Sequence, residues 1–183
     1  MAVGIGSISG SLGITVSRKK PGHIVALSED GRIDAVLNQG GKLADLLEKR
    51  AAINVKDAQR GPSDGSSLAP AAAVKSIDPY DITVIMPAAD GEPAVSEAER
   101  DALGRFRVSY DVIIEAPPYK LGGTLLLLSN QEPSSLTERG TELFIPLFNP
   151  HVEVAGVTLR DTPRDSVLVN RSHIRRVTAM TKR

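Results

Sequence analysis

The 183-residue chain has no cysteine and no tryptophan, and aromatic residues make up only 3% of it. Without cysteine there is no disulfide framework, no thiolate metal site and no thiol nucleophile. With three Phe and three Tyr as the only large anchors, the core has to be filled by Val, Ile, Leu and Ala. An excess of one charge is missing too, because Lys plus Arg and Asp plus Glu come to 22 each. The summed field therefore steers no particular partner, and the basic surplus of a dedicated nucleic-acid binder is lacking. No apolar run approaches the roughly 18 residues that cross a bilayer. The apolar N-terminal stretch has no basic n-region and is interrupted by Gly4, Gly6, Gly10 and Gly13, so it does not read as a signal peptide. The expectation is a cytoplasmic protein without membrane contact.

What the chain does have is 41% apolar residues, in short β-branched runs separated by Gly, Pro, Asn and Asp. That pattern predicts strands rather than helices. Strands are expected at 23–27, 32–37, 51–55, 81–86, 106–115, 121–128, 143–148 and 152–159, with Asn149-Pro150 separating the last two. Residues 28–31 (SEDG) make a hairpin-type turn in which Gly31 supplies the positive φ. Residues 61–72 (GPSDGSSLAPAA) hold too few large apolar side chains to pack and read as a mobile loop. Two short helices are expected. Leu43, Leu46 and Leu47 stand at helical spacing. Ser96 and Glu99 spell a capping box, which predicts a helix over 97–103 stopped by Gly104. The closing stretch 166–180 (SVLVNRSHIRRVTAM) carries two apolar runs around a polar break, the pattern of two paired strands joined by a tight turn.

Sliding the chain on itself by 92 residues places Gly31 on Gly123, Asn38-Gln39 on Asn130-Gln131, Ile53 on Ile145 and Ile82 on Ile174. Such identities are close to what composition alone gives. The apolar classes add to them: Ile33, Val36, Val55, Ile77 and Ile85 land on Leu125, Leu128, Leu147, Val169 and Val177 without a gap. The fold expected is all-β with one or two short helices, arranged as two tandem small barrel-like domains related by an internal duplication. An N-terminal domain would span 1–86, a linker and capped helix 87–105, and a C-terminal barrel 106–183. Small barrels of that size bury too little surface to be robust alone, so the halves should pack together or on another copy.

The leading helix, antiparallel sheet and closing strand–short turn–strand of residues 96–180 resemble an Sm-like or SH3-like small β-barrel. Sm-type closing motifs carry a basic residue followed by Gly. Aligned on Ile174, this chain has Asn170 and Arg171 at those places. The resemblance therefore implies the fold and not the RNA binding of that family.

No catalytic, cofactor or metal site is expected from the sequence. His23, His151 and His173 are the only histidines, none at i+3 or i+4 from another. Gly61-Pro62-Ser63-Asp64-Gly65 spells the G-x-S-x-G nucleophile elbow, but Pro70 stands where its helix should run. Phe144 and Phe148 are expected in the core. The one local basic cluster, Arg171, His173, Arg175 and Arg176, is the candidate contact with a partner or with nucleic acid. Arg175 and Arg176 are adjacent, and in a strand would face opposite ways. The function expected is non-catalytic: a structural or adaptor protein that binds a protein partner or self-assembles through a β edge or an inter-barrel groove. A nucleic-acid-binding small barrel is the alternative, and an enzyme whose site is assembled from distant residues the third.

Overall fold

The computed structural model describes residues 22–88, 92–138, 140–163 and 165–182. The Gly-rich lead-in and the strand expected near residue 14 lie outside these. The first half of the chain runs β1 (His23–Ser28), β2 (Gly31–Leu37), α1 (Leu43–Glu48), β3 (Ile53–Gly61), β4 (Ala69–Pro70), β5 (Ser76–Ile77), a 3-10 turn at Pro79–Asp81, and β6 (Val84–Pro87). The second half runs α2 (Glu97–Gly104), β7 (Arg107–Ala116), β8 (Tyr119–Leu128), a 3-10 turn at Pro133–Thr137, β9 (Phe144–Val154), β10 (Val157–Thr158), β11 (Ser166–Asn170), a 3-10 turn at Arg171–His173, and β12 (Arg176–Lys182).

These strands form one antiparallel sheet in the order β12-β7-β8-β9-β11-β6-β1-β2-β3-β4, with β10 on β9 and β5 on β3. The protein is thus mostly β with two short helices. The expectation of two small barrels is corrected here: the ladder path has two ends and closes on neither half. The strand that would complete the second half, β11, is paired to β6 of the first. The closing strands are corrected as well. β11 and β12 do not pair with each other: β11 lies between β9 and β6, and β12 pairs with β7. Residues 143–159 were expected as two strands split at Asn149-Pro150, yet β9 runs through that point. Asn149 takes a left-handed φ of 47°, and the extra residue is absorbed as a β-bulge opposite β8. Gly123 faces this bulge, where a Cβ would stand 2.7 Å from the Phe148 carbonyl oxygen. Residues 61–72, expected to stay unpacked, lay β4 against Gln59 and Arg60.

The ladders of the two halves correspond pair by pair. Val25 opposite Met86 and Ala26 opposite Ile85 match Ile113 opposite Thr178 and Ile114 opposite Val177. Ile53 opposite Ile77 matches Ile145 opposite Val169. Arg32 opposite Gly61 and Asp34 opposite Gln59 match Lys120 opposite Glu153 and Gly122 opposite His151. The bulge recurs after Asp34 and after Gly122, with Asp57 at φ 52° in the place of Asn149. The step between matching positions is 92 from Ile53 to Ile145 but 88 from Ala26 to Ile114. Gly31 consequently corresponds to Tyr119 and not to Gly123, and the ungapped alignment misplaces the first two strands of each half.

Packing follows from strand alternation. Val84 and Met86 of β6, with Val167 and Val169 of β11, enter one core cluster together with Val112, Ile114, Leu121 and Leu147. Ile85 and Leu168, from the same two strands, enter the other with Ile24, Leu47, Ile53 and Ile82. Both faces of the junction strands are therefore buried, which is why their sequences are continuous apolar runs instead of alternating ones. Each such side chain contributes about 1.5–3 kcal/mol of burial. The halves are not separable at this line.

Candidate functional site

The polar feature of the structure that recurs in both halves is the 3-10 turn entering the last strand of each. At Asp78 the carboxylate accepts from the Tyr80 N–H at 2.9 Å, and the Ile82 N–H returns to the Pro79 carbonyl at 3.3 Å. At Asn170 the side-chain oxygen accepts from the Ser172 N–H at 3.0 Å, and the Ile174 N–H returns to the Arg171 carbonyl at 3.2 Å. Asx side chains favour this geometry because they satisfy a backbone donor two residues on. The two caps differ in surroundings. Asp78 is exposed, whereas Asn170 is 0% exposed.

Asn170 is buried because it closes the junction between halves. Its amide nitrogen donates to the Pro79 carbonyl at 3.0 Å and the Ile82 carbonyl at 2.8 Å, and its backbone N–H donates to the Thr83 carbonyl at 2.9 Å. Only an amide can donate to two carbonyls while accepting from Ser172. His173 makes a second crossing. Its Nε2 lies 2.8 Å from the Tyr80 carbonyl, an acceptor only, so that nitrogen carries the proton. Nδ1 then faces the Thr83 hydroxyl at 3.2 Å. Arg171 turns the other way and donates to the carbonyls of Leu136, Glu138 and Ser135, which fastens the Pro133–Thr137 turn.

The four basic residues singled out in the sequence are thus split. Arg171 and His173 make hydrogen bonds inside the molecule. Arg175 and Arg176 are exposed at the start of β12, the terminal strand of the sheet. The path ends at the other side in β4, and β5, off the path, pairs with β3 and with no other strand among the described residues. A groove of about 410 Å³ runs beside it, lined by Ser76, Ile77, Glu29, Asp30, Asp78 and Asp81 among others. Arg60 and His173 line the same groove beside the four carboxylates.

The remaining sequence candidates are placed plainly. Ser63 follows β3 in a turn closed by the Gly65 N–H to the Pro62 carbonyl at 2.9 Å. A strand does lead into it, but the chain goes on to β4 and not to a helix, so the elbow lacks its second support. His151 pairs with Glu153 at 3.1 Å. Among the described residues no group of three His, Asp or Glu is placed to hold a metal ion, and no helix is long and apolar enough to cross a membrane. Phe148 is buried, with the Arg100 guanidinium 5.0 Å from its ring centre, and Phe144 is partly buried against the second cluster.

Sequence reasoning missed Arg32. It is 6% exposed and held between Asp34 and Asp161, each at 2.5 Å. Burial opposes its charge, but the two carboxylates outweigh that and push the guanidinium above its ordinary value. This ties β2 to the loop after β10. An Arg in an apparently half-exposed strand gave no signal of it. Set against known protein families, curated proteins and solved structures, the chain matches none.

Proposed function

We propose that this protein is a non-catalytic structural module of two duplicated halves that binds a protein partner, or assembles, by extending its sheet at the edges. The observation that carries this reading is the β6·β11 junction. There one half adds β11 to β6, the last strand of the other, with Leu168 opposite Ile85 and Val169 opposite Val84. Strand addition of this kind draws on main-chain hydrogen bonds and takes specificity from alternate side chains. The duplication is supported by the matched registers and bulges, down to the left-handed Asp57 and Asn149. Each half also returns the strand after its 3-10 turn to its first strand, and the ladders stay open.

The nucleic-acid reading now draws on Arg175 and Arg176, since Arg171 and His173 make hydrogen bonds within the chain. Light-scattering mass measured over a wide range of protein concentration tests the proposal. The expected result is a weight-average mass that climbs above that of a single chain and falls again in high salt. A single-chain mass throughout, with no protein partner retained and labelled RNA bound in a steeply salt-dependent way, would overturn it.

A further inference from the structure

Resting on that reading, we infer that the partner is a second copy of this chain, added head to tail. β5 of one copy would pair with the β12 edge of the next, Ser76 opposite Val177 and Ile77 opposite Arg176. The argument is continuity with the junction inside the chain. β11 corresponds to β5, since Ile145 faces Val169 as Ile53 faces Ile77. β6 corresponds to β12, since Ile85 faces Ala26 as Val177 faces Ile114. Moving the internal pairs Leu168–Ile85 and Val169–Val84 onto those counterparts yields the register stated. In the sheet order β12 is an end strand, and β5 pairs with β3 alone among the described residues; β4 and β10 keep an open side too, but neither is the counterpart of β6 or β11. The Pro133–Thr137 turn also packs against β12, and the incoming strand, two residues long, has to seat beside it at Arg176 and Val177.

Charge agrees with this geometry. The His173–Thr83 contact at 3.2 Å maps onto Asp81 and Arg175, an ion pair of opposite signs between copies. Asp81 stands with Asp78, Glu29 and Asp30 in the groove beside β5, and Arg175 stands with Arg176 beside β12. One position disagrees, and it sets the strength. Asn170 donates to two carbonyls inside the chain, and its counterpart is Asp78. A carboxylate there would face the Arg171 and Ile174 carbonyls of the neighbour with no proton to donate. The contact between copies is therefore weaker than the one within the chain, and assembly is reversible. A head-to-tail contact of this sort closes into a ring or runs on as a filament according to its rotation.

Because the chain lacks cysteine, single-cysteine variants test the register directly. Ser76→Cys protein mixed with Val177→Cys protein under mild oxidation should yield the 76–177 linked peptide several-fold faster than Ser76→Cys mixed with Met180→Cys. Asp78→Asn keeps the cap and adds the missing donor, so it should lower the concentration for half association by about tenfold. Asp81→Arg should weaken association, and adding Arg175→Asp in the same chain should restore it. Association with no preference for the 76–177 link and no effect of Asp78→Asn would overturn this inference and leave edge assembly standing. A chain that stays monomeric in every variant would overturn both.

Discussion

At the scale of the residue, Asn170 carries the account. It is the one side chain that both caps its own 3-10 turn and donates across the junction to Pro79 and Ile82. Asn170→Ala leaves two buried carbonyls without that donor. It should cost about 1–3 kcal/mol in urea unfolding. Asn170→Asp should cost at least as much, because a carboxylate buried against carbonyl oxygens cannot donate. A loss below about 0.5 kcal/mol for both would mean that water serves the carbonyls equally well. Nothing in the sequence distinguished Asn170 from an ordinary turn residue, because its partners lie 88 and 91 positions away. A still longer separation hid Arg32, whose partner Asp161 sits in the other half. Arg175 and Arg176, whose roles depend on strand direction and not on a distant partner, were legible as edge residues.

At the scale of the element, local chemistry was read well and long-range pairing was not. The capping box over α2 forms as spelled: Glu99 N–H reaches the Ser96 hydroxyl at 3.3 Å and the Ser96 N–H reaches the Glu99 carboxylate at 2.8 Å. Lys42 binds the same carboxylate at 2.6 Å. Lys42 first, then the Ser96 hydroxyl and N–H, hold the Glu99 carboxyl down at about 2 from the usual 4.5. A depressed carboxyl contributes stability that is present above its unfolded value and is lost as the pH falls through its folded value. The melting-temperature gap between wild type and Glu99→Gln should therefore be full at neutral pH, shrink from about pH 4.5 downward, and vanish near pH 2. A gap independent of pH would remove the carboxylate from the explanation. α2 has no buried residue, so its cap matters more than its packing. The strands failed in the opposite way. Asn149-Pro150 carries the chemistry of a stop, yet Asn149 tolerates the left-handed φ that a bulge needs. Likewise Asn170-Arg171-Ser172 is a turn, but one that sends its two strands to different neighbours.

At the scale of the whole molecule, composition fixed the material of the core and left its plan open. A chain poor in aromatics fills two clusters with Val, Ile, Leu and Ala. The sequence predicts two halves and a recurrence. It could not show that the halves meet by strand addition, because pairing across a junction leaves no local pattern. It also hid the shift from a step of 92 to one of 88, because a four-residue slip moves each strand onto another apolar strand and keeps inside and outside in phase. The consequence of the plan is that β5 and β12, whose registers match those of β11 and β6, keep an open side among the described residues. Amide hydrogen exchange in dilute and in concentrated protein tests that claim most directly. The amides of Val84, Ile85, Leu168 and Val169 should be protected at both concentrations, since they lie in the internal ladder. In each of the pairs Ser76/Ile77 and Arg176/Val177, the amide that points away from β3 or β7 should gain protection as the protein is concentrated. Edge amides whose exchange ignores concentration, in protein whose internal junction is protected, would contradict the account.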